Sequence, residues 1–511
     1  MKVLLVSTYE LGHQPLHLAS PAAALQASGH QVACWDMAVD PWDEPAEELF
    51  AWAELAAVSV PMHTAMRLAT QLLTDVRRRW PSLPICLYGL YAPLGADPYL
   101  SDLSDHLIAG EYERELVSWV DSGGTTGHHP GTADAAPVVV DVGRRRLQSP
   151  PEPGSGVLQT PAGAVRVPAR HLLPPLDRYA KLQVGHQERL VGYVETSHGC
   201  RHRCRHCPVP IVYDGRTTVV AVRQLLADVE QLVTMGARHL TYGDPDLFNN
   251  PHHALRAIQA VHSAFPTLTF DCTVKVSHVL RDRDAWPTMA ASGCLFVVSA
   301  LESTDDPVLA YLDKGHTSSD ASEAIAILAG AGVQMRPSWL PFTPWTTLGQ
   351  LTDLFEFLAR HDLTANTDPV QATIRLLLPE GSLLLERQDI LSRITGYDAE
   401  ALSWKWTSVD PLLDDLQAEL SQIAEDATTT AEPQDVTWKR LGRVVARAAG
   451  VDPEWERTLP DAAVRGRWPE PALRPRLSEP WFCCAEPTTT QRSFASACSA
   501  SSRFPAEDGI P

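Results

Sequence analysis

The stretch SHGCRHRCRHCPVP runs from Ser197 to Pro210 and holds Cys200, Cys204 and Cys207 in the spacing C-x3-C-x2-C. It overlaps the end of VGYVETS, an apolar run that predicts a β-strand. The three cysteines therefore fall in the loop after a strand, where α/β proteins place their active sites. Three clustered thiols in a reducing compartment indicate metal or redox chemistry.

Two kinds of metal site fit this loop. A structural zinc site has four ligands, and His198, His202 or His206 could supply the fourth beside the three thiolates. An iron–sulfur cube is normally held by one thiolate per iron, so three thiolates leave one iron open to a small ligand. The spacing alone leaves both kinds of site open.

The composition narrows the class of protein. The chain has 511 residues, of which 44% are hydrophobic and 20% charged, as expected of a multidomain globular protein. A net charge of -20 and a pI near 5.4 argue against nucleic acid as a partner. The apolar run in MKVLLVSTYE is too short for a signal peptide or a membrane span. We therefore expect a cytoplasmic protein with no nucleic-acid or membrane partner.

The order of the patterns predicts an α/β protein with several regions. Residues 1–120 alternate apolar runs with helical patterns, which is typical of a doubly wound, Rossmann-like sheet. Residues 121–185 are rich in turn residues and predict a linker region. Residues 186–380 alternate six strand patterns with helices and predict a partial (β/α)6 barrel. Residues 381–475 predict a helical C-terminal region, and residues 476–511 a tail.

Ligands of doubly wound sheets bind beyond the carboxyl ends of the strands. In the first region, these ends are followed by the loops YELGHQ, SVPMHT, YGLYAPLGAD and GEYERE, which we expect to form one rim. Four further cysteines lie in apolar runs and predict buried core thiols: Cys34, Cys86, Cys272 and Cys294.

The cysteine loop, placed after the first strand of the barrel, resembles that of radical S-adenosylmethionine (radical SAM) enzymes. The resemblance implies that Cys200, Cys204 and Cys207 hold a [4Fe–4S] cluster whose open iron binds S-adenosylmethionine (SAM). It also implies reductive cleavage of SAM to a 5′-deoxyadenosyl radical, which modifies an unactivated carbon of a substrate.

The same resemblance implies residues that bind SAM. TYGDPDLF occupies the place of a Gly-rich segment, so Gly243 and Asp244 are expected at the amino group of the methionine moiety, although GDPD departs from the common Gly-Gly-acid form. SALES offers Ser299 and Glu302 for the ribose or methionine, and QMRPSW offers Arg336 for the carboxylate. The alternative for each is an ordinary residue at the end of a strand.

A doubly wound region ahead of such a barrel resembles the cobalamin-dependent branch of the superfamily, and GHQPLHLASPAAALQASGHQV and IAGEYERE carry the similarity. It implies a cobalamin-binding-like first domain, cobalamin as a further cofactor and methylation as the reaction. The motif D-x-H-x-x-G, which places a histidine on cobalt, is absent because ELG precedes His13. Tyr9, His13, His63 or no protein group would then face the cobalt. The alternative is a purely structural domain.

The C-terminal WFCCAEPTTTQ, together with GDPDLFNNP, FDCTVKVSH and LDKGHT, resembles the CUAEP/CCAEP-tail radical SAM proteins. That tail occurs in selenocysteine and cysteine forms, which implies a chemical use of Cys483 and Cys484. Adjacent cysteines can form only a strained, easily reduced disulfide. We expect the tail to bring a thiolate to the active site, the alternative being an exposed tail with incidental thiols.

The arginines of the cysteine loop, Arg201, Arg203 and Arg205, are either solvated loop charges or a docking patch for an acidic electron donor such as reduced flavodoxin or ferredoxin. The substrate is unknown, although residues 379–381 of LLLPEGSLL are candidates for lining its pocket. The rival function is a non-catalytic iron–sulfur or zinc module for electron transfer or metal binding, closed jointly by the loop and tail cysteines.

Overall fold

The computed structural model describes residues 1–97, 100–125, 138–141, 157–159 and 166–479. The predicted tail from residue 480 onward and about half of the predicted linker lie outside the described residues. The fold is α/β and contains a doubly wound sheet and a curled half-barrel sheet, as the sequence predicts. Within the described residues, no helix combines the length and apolar composition that crossing a membrane requires.

The N-terminal sheet has six parallel strands in the order β2-β1-β3-β4-β5-β6. Its strands are β1 (Lys2–Ser7), β2 (Gln31–Asp36), β3 (Leu55–Ser59), β4 (Ile85–Tyr88), β5 (His106–Ala109) and β6 (Val138–Asp141). Its helices are α1 (Leu16–Ala27), α2 (Glu44–Trp52), α3 (His63–Arg79) and α4 (Glu113–Asp121). Both faces of the sheet are covered, so β1 and β3 read as continuous apolar runs and are buried. The strand order reverses direction at β1, which is where such sheets bind ligands.

The next region supplies most of the half-barrel. Its strands are β7 (Val157–Gln159), β8 (Lys181–Val184), β9 (Gln187–Val194), β10 (Ser197–Gly199), β11 (Thr217–Val219), β12 (His239–Tyr242), β13 (Thr269–Thr273), β14 (Cys294–Glu302) and β15 (Gln334–Trp339). Its helices are α5 (Val209–Tyr213), α6 (Val222–Thr234), α7 (Pro251–Ala264), α8 (Val276–Arg281), α9 (Trp286–Ala291), α10 (Asp306–Tyr311), α11 (Ser318–Ala331) and α12 (Leu348–Arg360). A small separate sheet joins β10, β11 and β7 beside the cysteine loop.

The C-terminal region is mainly helical. It contains α13 (Gln388–Leu391), α14 (Leu412–Thr429) and α15 (Gln434–Ala449), the hairpin of β16 (Ile394–Asp398) and β17 (Ser403–Trp406), and the short β18 (Arg476–Leu477). Apolar residues of α14 and α15, such as Leu420 and Leu441, join the same buried cluster as Leu354 of α12. The helical region is therefore packed on the outside of the half-barrel.

The half-barrel sheet has the order β15-β14-β13-β12-β9-β8-β18. Strands β9 and β12 to β15 are parallel, so their carboxyl ends open on the same side, whereas β8 and β18 are antiparallel additions. The sixth predicted strand, QATIRLLLP, is reduced to one parallel bridge between Phe342 and Arg375. The physical reason is a tight turn at Pro369–Thr373, in which the Gln371 side chain accepts a hydrogen bond from Trp339 N at 2.9 Å.

Arg170 fixes the two sheets relative to each other. Its guanidinium is buried and donates to both carboxylate oxygens of Asp228, at 3.0 and 2.8 Å. It also donates to Gln14 Oε1 at 3.3 Å, in the loop after β1, and to the carbonyl of Tyr193 at 2.7 Å, in β9. Through these hydrogen bonds the buried ion pair joins the loop after β1 to the half-barrel, at the carboxyl ends of the two sheets.

Candidate active site

The carboxyl ends of the two sheets meet at one cleft. On the N-terminal side it is lined by Leu11, Pro61, Leu90 and Glu111, one from each of the four predicted rim loops. The opposite wall is formed by the ends of β9 and β12 to β15 and by the cysteine loop. The predicted rim is therefore confirmed, and it faces the half-barrel.

Cys200, Cys204 and Cys207 all line this cleft, and none of them is in a disulfide. The loop turns tightly between them, with Cys207 N donating to Cys204 O at 3.1 Å. Burial and the nearby Asp246 raise the pKa of the Cys200 thiol to about 11, so a bound metal has to displace its proton. Three cysteines that line one cavity fit a cluster with three protein ligands.

Two lysines that line the cleft lie beside the cysteine loop. Lys275 Nζ donates to Cys204 Sγ at 3.6 Å. Lys314 Nζ donates to Glu302 Oε1 at 3.2 Å, and His206 Nε2 lies 3.0 Å from the same oxygen. Although burial opposes it, Lys314 and His206 lower the pKa of Glu302 to about 2. Glu302 is thus an ionised carboxylate that lines the cleft next to the thiols.

Gly243 and Asp244 lie at the end of β12, in the cleft wall. A Cβ at Gly243 would stand 1.9 Å from the hydroxyl oxygen of Tyr193, so only glycine fits there. The Asp244 carboxylate accepts hydrogen bonds from Thr196 N, Thr196 Oγ1 and Ser197 Oγ at 2.8, 2.7 and 2.6 Å. Burial raises the pKa of Asp244 to about 6, although these hydrogen bonds lower it. Asp244 therefore holds the residues just before the cysteine loop in place.

The other residues predicted to bind SAM differ in position. Glu302 and Arg336 line the cleft, whereas Ser299 does not. The Ser299 hydroxyl is buried without a hydrogen-bond partner among the described residues. The Arg336 guanidinium lies 3.4 Å from an Asp368 oxygen and donates to the carbonyl of Pro475 at 3.3 Å. The structure thus brings Arg336 close to the C-terminal segment as well as to the cleft.

Of the three residues considered for the cobalt, only His13 lines the cleft. Its ring packs on Tyr193 with the ring centroids 4.9 Å apart, and burial lowers the His13 pKa to about 4. His63 instead donates from Nε2 to the carbonyl of Leu402 at 3.3 Å, away from the cleft. The Tyr9 hydroxyl donates to Glu479 at 2.6 Å.

A histidine between two carboxylates bridges the cleft, and the sequence analysis did not single it out as a group. His198 Nδ1 lies 3.0 Å from Glu111 Oε1, and His198 Nε2 lies 3.2 Å from Glu195 Oε2. Although burial opposes it, the two carboxylates raise the pKa of His198 well above its ordinary value. Glu111 follows β5 and Glu195 follows β9, so the only sequence signal was that both come just after parallel strands.

His202, Asp246 and His278 form a second group of potential metal ligands, with ligand atoms all within 4.8 Å of one another. His278 uses both ring nitrogens within the group: Nδ1 lies 2.6 Å from Asp246 Oδ2, and Nε2 lies 3.1 Å from His202 Nε2. The three side chains form a chain of contacts rather than converging on one point. Their arrangement supports the cysteine loop, because His202 lies between Cys200 and Cys204.

The last described residues enter the cleft. Strand β18 pairs with β8, and Ser478 N donates to Lys181 O at 2.8 Å. Leu477 and Glu479 then line the cleft, and the Glu479 side chain fills the space beside Gly12. Cys483 and Cys484 follow within five residues and lie outside the described residues.

Comparison with known proteins identifies the class. The family model described as the radical SAM superfamily matches residues 194–337, which include the cysteine loop and β12 to β15 up to Pro337. The chain therefore contains a radical SAM domain, and that domain implies a [4Fe–4S] cluster and SAM as cofactors. No curated protein matches the chain by sequence.

Two solved structures share the fold. One is the cobalamin-dependent S-adenosylmethionine radical enzyme OxsB with aqua-cobalamin bound, which is 14% identical with a TM-score of 0.62 over 84% of this chain and 67% of that one. The other is the radical S-adenosylmethionine methyltransferase TsrM from Kitasatospora setae with cobalamin and a [4Fe–4S] cluster bound. It is 17% identical with a TM-score of 0.59 over 88% of this chain and 99% of that one. The chain thus combines a radical SAM domain with the fold of cobalamin-dependent radical SAM enzymes.

Proposed function

We propose that this protein is a cobalamin-dependent radical SAM enzyme that methylates an unactivated carbon, and that the cleft between the two sheets is its active site. One observation carries the proposal: Cys200, Cys204 and Cys207 line one wall of a cleft whose other wall is the rim of the doubly wound sheet. A cluster and a corrinoid bound to these walls would face the same space. The fold shared with OxsB and TsrM supports this arrangement.

When bound, the cluster and SAM supply a radical that removes a hydrogen atom from carbon, and cobalamin supplies the methyl group. The chain itself binds, orients and excludes water. In this proposal Gly243 and Asp244 lie at the amino group of SAM, and Glu302 lies at its ribose or methionine part; Ser299, the other residue expected there, does not line the cleft. Arg336 lies at its carboxylate.

The N-terminal wall fits a corrinoid in two respects. Leu11, Pro61, Met62 and Leu90 give it an apolar surface on which a flat macrocycle could pack. Glu10 also lines the wall, and its Oε1 is buried without a hydrogen-bond partner among the described residues. An amide N–H of the corrin side chains would satisfy that oxygen.

The C-terminal tail belongs to the same proposal. The chain enters the cleft at Glu479, and an extended residue spans about 3.3–3.6 Å, so Cys483 lies within about 14 Å of that point. We propose that Cys483 and Cys484, in a tail that resembles the CUAEP/CCAEP type, present a thiolate to the substrate or a metal. Such a role also places the protein in the cytoplasm, where thiols stay reduced.

The electron donor is proposed to be reduced flavodoxin or ferredoxin. Arg201, Arg203 and Arg205 flank the cysteine loop, and the Arg203 side chain is 58% exposed beside Asp214. An acidic donor docking on these arginines would lie next to the cluster, which suits a short electron-transfer distance.

The test is anaerobic reconstitution with iron, sulfide, hydroxocobalamin and SAM, followed by reduction and mass analysis of the nucleoside product. We expect 5′-deoxyadenosine from the wild type and none from the variant with Cys200, Cys204 and Cys207 changed to alanine. Stoichiometric zinc without iron in the anaerobically purified protein would overturn the proposal. A hydroxocobalamin titration should give a saturable spectral change that persists in His13→Ala. If the wild type did not bind hydroxocobalamin, the cobalamin-dependent part of the proposal would be wrong.

A further inference from the structure

The motif FDCTVKVSH has no role in the proposed function, yet it lines the cleft beside the cysteine loop. It ends β13 and begins α8. Lys275, the residue just before α8, places Nζ 3.6 Å from Cys204 Sγ. One turn later, His278 contacts His202 in the same loop. The start of α8 therefore supports the loop at two points, one of which is a cluster ligand.

The neighbouring lysine differs in its charge balance. Lys314, from LDKGHT, is buried, and its positive charge is matched by Glu302 at 3.2 Å. Lys275 has no carboxylate oxygen within 4.0 Å among the described residues, and the sulfur of Cys204 is its contact. The charge of Lys275 is therefore directed at the cysteine loop without a counter-ion of its own.

A positive charge at this place acts on electron transfer. Reduction adds one negative charge to a cluster, and a cation nearby in a poorly screened site favours the reduced form. An N–H donor on a ligand sulfur works in the same direction, because hydrogen bonds to sulfur and local charge set the potential of iron–sulfur clusters. We infer that Lys275 raises the reduction potential of the cluster held by Cys200, Cys204 and Cys207, and so makes its one-electron reduction by a low-potential donor more favourable.

This inference rests on the proposed function only in requiring a reducible cluster. The test compares the wild type with Lys275→Met, Lys275→Arg and the control Lys439→Met, which removes an equal charge from the exposed end of an ion pair on α15. Each reconstituted protein is titrated with dithionite and followed by electron paramagnetic resonance, with iron and sulfide counted per chain. No substrate is needed.

For Lys275→Met we expect a more negative midpoint potential, with the one-electron equilibrium about tenfold less favourable, equivalent to about 59 mV. Lys275→Arg and Lys439→Met should stay near the wild type. Lys275→Gln, which also removes the charge, should shift in the same direction and serves if the methionine variant holds no cluster. If a variant without the charge at Lys275 kept its full cluster content and an unchanged midpoint potential, this inference would be wrong and the proposed function would stand. A wild type without a cluster would overturn the proposed function instead.

Discussion

Glu479 accepts a hydrogen bond from the Tyr9 hydroxyl at 2.6 Å, which joins the last described residue of the chain to the loop after its first strand. The two residues belong to different sheets of the fold, because Glu479 follows β18 of the half-barrel and Tyr9 follows β1. The Glu479 side chain also fills the space over Gly12, where a Cβ would stand 2.8 Å from it. The C-terminal segment therefore bridges the cleft and brings the start of the tail to the rim of the N-terminal sheet.

The contact between Gly243 and Tyr193 gives a test of the wall behind the cysteine loop. We expect Gly243→Ala to destabilise the protein by about 1–3 kcal/mol, because the added methyl group would overlap the half-buried Tyr193 ring. The matched control is Gly330→Ala in α11, where a Cβ meets nothing within 4 Å and alanine favours the helix. Denaturant unfolding of both variants checks the difference. If the two variants were equally stable, the Tyr193 side chain would have to move aside for the added methyl group at little cost in free energy.

The buried pair of Arg170 and Asp228 predicts a large effect on stability. Arg170→Met should cost about 3–5 kcal/mol, because Asp228 would remain buried without its ion-pair partner. The double variant Arg170→Met, Asp228→Leu should recover much of this loss, since no charge is then left unpaired. Unfolding measured by circular dichroism compares the single and double variants. A single variant as stable as the wild type would contradict the role of this pair in fixing the two sheets.

His63 predicts part of the acid sensitivity of the fold. Burial lowers the pKa of His63 from 6.5 to about 4, so the folded state excludes a proton that the unfolded state binds. The contribution of His63 to the free energy of unfolding is fully present above pH 6.5 and is lost progressively as the pH falls from 6.5 towards 4. In that window the single group contributes a slope of about 1.4 kcal/mol per pH unit. His63→Gln should flatten the plot of unfolding free energy against pH by that amount, as measured with the cofactor-free protein.

Local pattern was enough to predict most of the parallel strands and the cysteine loop. The runs KVLLVS and AAVS are apolar because parallel strands are covered on both faces. In SHGCRHRCRHC, the spacing of the three cysteines indicates a metal site. The comparisons confirm the radical SAM domain that this loop indicates.

Contacts between distant segments could not be predicted in this way. The bond of Glu111 to His198 depends on how two sheets pack, and the pairing of β18 with β8 joins residues almost 300 positions apart. His63 matched the pattern of a residue in a rim loop, yet its side chain turns to the carbonyl of Leu402. The sixth strand of the barrel was lost for a similar reason, since a proline-led turn and the Gln371 side chain replace the backbone ladder there.

The tail gives the last prediction. Glu479 lies in the cleft, and Cys483 and Cys484 follow it by four and five positions along the chain, whereas Cys498 follows it by 19. Replacing Cys483 and Cys484 by serine should leave the iron and sulfide content and the uncoupled cleavage of SAM unchanged, because Cys200, Cys204 and Cys207 are the proposed ligands of the cluster. Conversion of the substrate should be lost, and Cys498→Ser should behave as the wild type.

Serine keeps the size of the side chain and removes the thiolate, so this comparison isolates the sulfur chemistry from the packing of the tail. Mass analysis of 5′-deoxyadenosine and of the modified product separates the two activities. If the double serine variant lost its cluster, the tail cysteines would be ligands that help to close the iron site. If it converted substrate at the wild-type rate, the thiols would have no part in the reaction, and the position of Glu479 would serve only to close the cleft.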